Sequence, residues 1–207
     1  MRPQRRIVVR CTRRKDSTQR TGIIGRGAGP FVLAAMQNHF ELFGLEPGFA
    51  LDRVALERAY REIQGRIHPD RFAHAGDAER RASMQWTTRV NEAYRVLQNP
   101  LERARHLLEL NGVDVALETN TAMPVEFLER QMALRESLEA ASEERNTAAL
   151  DALRSELGAA RERVVAKLAT CIDGEKDFSG AAGWVRELKF FERLDAEIES
   201  AYESIEA

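Results

Sequence analysis

DRVALERAYREIQGRIHPDRF, Asp52 to Phe72, is the stretch on which the fold turns. Asp52 is a good helix N-cap, and Leu51 and Leu56 stand at the two positions of a hydrophobic staple. Leu56, Ala59, Tyr60, Ile63 and Ile67 then follow at i, i+3, i+4, i+7 and i+11. At about 100° per residue these five fall in one arc. Arg58, Arg61, Glu62 and Arg66 fall outside it, which predicts a helix with a core face and a mostly basic exposed face. Pro69 ends the helix and presses His68 toward an extended conformation.

Downstream, a helix is predicted from about Ala78 to Gln98, with Trp86, Val90, Ala93, Tyr94 and Leu97 on one face and Asn99-Pro100 as its stop. Two amphipathic helices joined by a polar loop should pack as an antiparallel hairpin. His68-Pro69-Asp70 then lies at the exposed tip. Upstream, HFELFGL is a short apolar segment broken by Gly44, Pro47 and Gly48. Beyond the hairpin, LERARHLLELNG reads as a short helix closed by Asn111-Gly112. VDVALETNTAMP reads as a polar linker. Three more helices are expected from about Pro124 to Ala141, Thr147 to Cys171 and Phe178 to Ser204, and their short connections suggest a three-helix bundle. The reading is all-α throughout.

Composition narrows the function classes. Residues 1–35 hold nine Lys/Arg and one acid, Asp16, which leaves 22 basic and 32 acidic residues for the rest of the 207-residue chain. An acidic body argues against nucleic acid as the main partner. No run approaches the roughly 18 apolar residues of a membrane span. Cys11 and Cys171 have no neighbouring Cys or His at ligand spacing, so no zinc site is expected and both read as free thiols of a reducing cytoplasm. His39, His74 and His106 look scattered, and no acid/base, metal or phosphate-loop constellation supports an enzyme. Residues 1–35 are basic, acid-poor and without sustained period. They read either as a targeting-like peptide or as a stretch upstream of a start at Met36. The second is favoured because the folded pattern begins just after Met36. In both cases disorder is expected.

The motifs resemble a known family. A bare His-Pro-Asp is a weak signal, but AYREIQGRIHPDRF before a loop and VNEAYRVLQNP at the end of the second helix together resemble the J domain in order, spacing and residue type. NHFELFGLEPGFALD, NPLERARHLLELNGVD, FLERQMALRESLEAA and VRELKFFERLDAEI are similar to successive parts of HscB, the J-type co-chaperone of bacterial iron–sulfur cluster assembly. The resemblance spans about residues 38–207. It implies a J domain at 36–111, a linker at 112–123 and a scaffold-binding bundle at 124–207, after an extension at 1–35. Ile67 stands where a typical J domain carries Tyr, a swap that keeps the core contact. Some eukaryotic relatives carry paired N-terminal cysteines for a metal; these are absent, so neither a metal nor another cofactor is implied.

What the resemblance implies about function is specific. The chain should bind a DnaK-type chaperone (HscA) and stimulate its ATPase, and should bind the scaffold protein IscU and deliver it. The chaperone-facing residues are His68, Pro69, Asp70, Arg58, Arg61, Arg66 and Arg71, with Asp70 offering a carboxylate that competes for a partner Arg. An alternative is that Asp70 is buried and merely caps the next turn. The scaffold-facing residues are Leu128, Met132, Glu136 and Phe190. Helical angles give these independent support. Phe127, Leu134 and Leu138 share an arc expected in the core, and Leu128 and Met132 lie about 100–140° from Phe127. Trp184, Leu188, Phe191, Ile198 and Tyr202 share another, with Phe190 about 100° off it. These off-core apolar residues fit an interface, or else a second core face. Ala133 and Ala140 replace acids that the family often carries, which points to a less electrostatic scaffold interface. The implied location is the bacterial cytoplasm, with the mitochondrial matrix as runner-up if residues 1–35 are a targeting peptide. Weighed against this are a general J protein acting on unfolded clients, which usually brings a Gly/Phe-rich linker or zinc-binding cysteines, and a plain helical interaction protein.

Overall fold

The computed structural model describes residues 38–115 and 123–206, and within them it is all-helical. The expectations for residues 1–35, and for most of the linker, lie outside the described residues.

Helix α1, His39–Leu42, starts where the Asn38 side chain accepts the Glu41 amide. Helix α2, Arg53–Ile67, begins at Asp52, whose carboxylate accepts the amides of Val54 and Ala55. Asp52 satisfies amide donors that a first helical turn cannot pair internally. A 3₁₀ turn, Pro69–Phe72, follows, then α3, Asp77–Gln98. Asn99 ends α3 and caps α4, Pro100–Leu110, through the amides of Leu101 and Glu102. Gly112 closes α4 with φ of +73°, a left-handed conformation that costs glycine no steric clash. Helix α5 spans Val125–Glu143 and α6 Thr147–Ala169. A π-helical turn, Thr170–Glu175, leads to α7, Phe178–Glu206.

Pairings across the helices show their directions. Tyr60 stacks on Tyr94 with ring centroids 4.0 Å apart, Gln64 meets Asn91, and Ile67 meets Ser83. Rising numbers against falling ones make α2 and α3 an antiparallel hairpin. Tyr202 with Asp151, Arg154 with Asp195 and Arg161 with Glu192 show the same for α6 and α7. Helix α5 completes the bundle.

The two halves share one apolar cluster. It runs from Phe40 through Leu56, Val90, Leu97 and Leu108 to Leu150, Leu188, Phe191 and Ile198. Helix α4 packs on both α3 and α7 and carries that cluster across. Ile67 is buried, as the Tyr-to-Ile swap requires, and the arcs expected on α2, α3, α5 and α7 face the core.

Candidate functional site

Pro69 has no amide hydrogen, so the Gly65 carbonyl, four residues earlier, loses its helical partner. Arg71 takes that place, its Nη1 donating to the Gly65 oxygen at 2.5 Å. The Ile67 carbonyl accepts from the buried Ser83 hydroxyl at 2.6 Å, a bond from α3 that pins the end of α2. The Asp70 amide donates to Nδ1 of His68 at 3.3 Å. His68 itself is extended, with φ −54° and ψ 131°. Arg71, Ser83 and His68 thus each satisfy one backbone group around the tripeptide.

That leaves the Asp70 carboxylate outside the fold, its side chain 90% exposed. Among the described residues it accepts no backbone amide, so it is neither buried nor a cap for the next turn. Its oxygen is 3.5 Å from His68 Nδ1.

Along α2, Arg58, Arg61 and Arg66 are exposed as expected. Arg61 pairs with Glu57 and Arg66 with Glu62, one turn back. Arg58 has no such partner within 4 Å among the described residues. The exposed face is therefore only partly basic. Arg71 lies beside it, but its guanidinium already serves the Gly65 carbonyl, a structural role that spacing alone did not reveal.

The second surface lies on α5. Leu128 is 41% and Met132 63% exposed, as their off-core angles suggest. Val125, 64% exposed, extends the stripe at i, i+3 and i+7, and the sequence reading passed over it. Glu136 is exposed beside them. Phe190 corrects the expectation. It is only 9% exposed, edge-on to Phe127 and Phe191 with centroids 5.7 and 5.8 Å away. The Arg135 guanidinium lies 5.7 Å over its ring. The reason is that α7 is the shared helix: it packs on α4, α5 and α6, so its buried arc is far wider than one helix–helix contact predicts.

The histidines also need correction. His39 and His106 are not scattered: their rings lie 4.2 Å apart, and the His39 amide donates to His106 Nε2 at 3.3 Å. Burial, helped by His39, pushes the His106 imidazole down to about 4. Among the described residues no group of three or more His, Cys, Asp or Glu is arranged to hold a metal, and no helix is long and apolar enough to cross a membrane.

Comparison with known proteins fits an exposed His-Pro-Asp tip and a separate helical bundle. A family model described as the HSCB C-terminal oligomerisation domain matches residues 123–199. The co-chaperone protein HscB homolog of Burkholderia thailandensis is 50% identical over 175 residues, covering 84% of this chain and 99% of that protein. The chain belongs to the HscB family.

Solved structures agree with that membership. Chaperone HscB from Vibrio cholerae superposes with a TM-score of 0.71 at 35% identity, over 82% of this chain and 99% of that one. Human co-chaperone protein HscB gives 0.75 at 26% identity, over 79% and 81%. An HscB-family chain of this kind is a co-chaperone, with the architecture of a J-domain hairpin joined to a C-terminal helical domain. The matched C-terminal segment contains all of α5 and α6 and most of α7, and with them Leu128, Met132, Glu136 and Phe190.

Proposed function

We propose that this chain docks on a DnaK-type chaperone of the HscA kind through residues 36–111, stimulates its ATPase, and brings to it an IscU-like iron–sulfur scaffold held by residues 124–207. One observation carries the first half: the Asp70 carboxylate is 90% exposed at a hairpin tip whose backbone is held by Arg71, Ser83 and His68. A carboxylate this exposed is free to compete for an arginine of the chaperone and release an inhibited ATPase state. His68 and Pro69 hold the backbone that presents it, and Arg58, Arg61, Arg66 and Arg71 steer the approach toward an acidic surface. ATP is hydrolysed in the partner, and this chain supplies the trigger.

The second half rests on the Val125, Leu128 and Met132 stripe, an exposed apolar patch of the kind that marks protein interfaces. Glu136 is the acidic neighbour of that stripe, and the buried Phe190 ring beneath Arg135 supports α5 from α7. On this reading the protein works in the bacterial cytoplasm, where iron–sulfur assembly takes place.

The test is the ATPase rate of the cognate chaperone with this protein, with and without scaffold. Wild type is expected to stimulate. Asp70→Ala, correctly folded, is expected to lose about tenfold or more of that stimulation, the scale of one charge-assisted hydrogen bond. Undiminished stimulation by Asp70→Ala would refute the proposed trigger.

A further inference from the structure

The connection between α1 and α2 stands at the foot of the helix that leads to the tripeptide. One side chain from the other half of the molecule ties it down. Asp173 lies in the π turn after α6, and its Oδ1 accepts the Phe49 amide at 2.8 Å while Oδ2 accepts the Ala50 amide at 2.7 Å. These bonds span 124 and 123 residues of chain. Phe49 is buried beneath them, with the Arg103 guanidinium of α4 5.0 Å over its ring. Arg103 is itself buried, donates to the Leu97 carbonyl, and makes no ion pair within 4 Å among the described residues; it feels Asp173 only at longer range.

The π turn holds the carboxylate in place. Buried Ile172 anchors it in the core, the Asp177 amide returns to the Cys171 carbonyl at 2.9 Å, and Lys176 takes φ of +57°. Neither half needs Asp173 to cap its own helices, since Asp52 starts α2 and Asn146 starts α6. Both of its hydrogen bonds go to the opposite half. The contact of α4 with α7 also holds the halves together, through non-directional apolar burial and through polar bonds of Glu192 with Asn99 and Arg186 with the Val115 carbonyl, but none of these reaches the connection between α1 and α2. A carboxylate gripping two successive amides fixes orientation as well as distance.

We infer that Asp173 is a positioning residue: it holds the tripeptide hairpin at a fixed angle to the α5 surface, so that a scaffold bound there meets the chaperone in one orientation. The inference rests on the function proposed above, and its experiment separates the two. Amide residual dipolar couplings of the full chain read the orientation. In wild type, α2 and α3 share one alignment tensor with α5, α6 and α7. In Asp173→Ala the two groups require tensors of different orientation. Asp173→Asn keeps one carbonyl oxygen, so it shows a smaller difference, and it carries the test should the alanine variant fail to fold.

The functional arm uses purified chaperone and scaffold. Asp173→Ala is expected to leave scaffold affinity, and the ATPase stimulation given by this chain alone, unchanged. The extra stimulation that scaffold adds should fall about fivefold or more, at the low end of typical coupling between sites. A purely structural role would lower all three together. A single shared tensor in a folded Asp173→Ala chain overturns the inference, and so does full scaffold-dependent stimulation alongside split tensors. A wild-type chain that fails to stimulate the chaperone refutes the proposed function instead, and the tensor comparison still decides what Asp173 does.

Discussion

Nε2 of His106 accepts the His39 amide, so it has to stay unprotonated for α1 to keep that bond. Its folded-state value is pushed down from 6.5 to about 4, first by burial and then by His39. The unfolded chain therefore binds the proton more readily. The stabilising contribution is whole above about 6.5 and is lost as pH falls toward about 4. Solvent reaches the half-buried ring, so the effect should amount to roughly 1–2 kcal/mol rather than the full shift. Urea midpoints at pH 7 and pH 4.5 should show a larger acid loss in wild type than in His106→Gln, and equal losses would contradict this. Sequence spacing could not have found this pair, since 67 residues separate the two histidines. The same holds for Ser83 under Ile67 and Asp173 under Phe49. What was legible at this scale was local: Asp52 as a cap, Ile67 as a core residue and Asp70 as the exposed member of its tripeptide.

Helices show a different balance. The periodicity of α2 and α3 predicted their core faces, and those arcs pack on the apolar cluster. Helix α5 carries apolar residues on two faces, one buried at Phe127, Leu134 and Leu138 and one exposed at Val125, Leu128 and Met132. A helical wheel separates those faces well. It fails on α7, where a third packing partner makes an apparently off-core Phe190 part of the core. This distinction is testable. Leu128→Ser with Met132→Ser should change stability by no more than about 0.5 kcal/mol per site, as exposed substitutions usually do, while sharply weakening scaffold binding in calorimetry. Phe190→Ala should instead cost about 3–5 kcal/mol of stability, because it empties a packed aromatic site. A Phe190→Ala chain as stable as wild type would mean that the ring is not structural. The π turn Thr170–Glu175 was not foreseen as such: the helix was expected simply to end at Cys171, which lies inside the turn.

For the whole molecule, the order and type of the elements could be read from residues 38–207, but their joint arrangement could not. The linker reads as polar, and a polar linker suggests two independent bodies. The structure instead has one apolar cluster running from Phe40 to Ala201 through α4 and α7. A continuous core predicts cooperative unfolding. Scanning calorimetry should give a single transition with equal calorimetric and van't Hoff enthalpies, and two resolved transitions would show that the halves melt separately. The shared α4–α7 contact is also where sequence reasoning runs out: α4 reads as the end of one domain, whereas in three dimensions it is the floor on which the other rests.

The Asp70 carboxylate has no task inside the fold, and that has a consequence for the cell. A chain that loses it is expected to fold as its parent does and so to escape the checks that sense misfolding. On the proposed function, it also keeps a grip on its cargo. Such a variant would therefore be worse than none, a poison that sequesters scaffold from intact copies in proportion to its abundance.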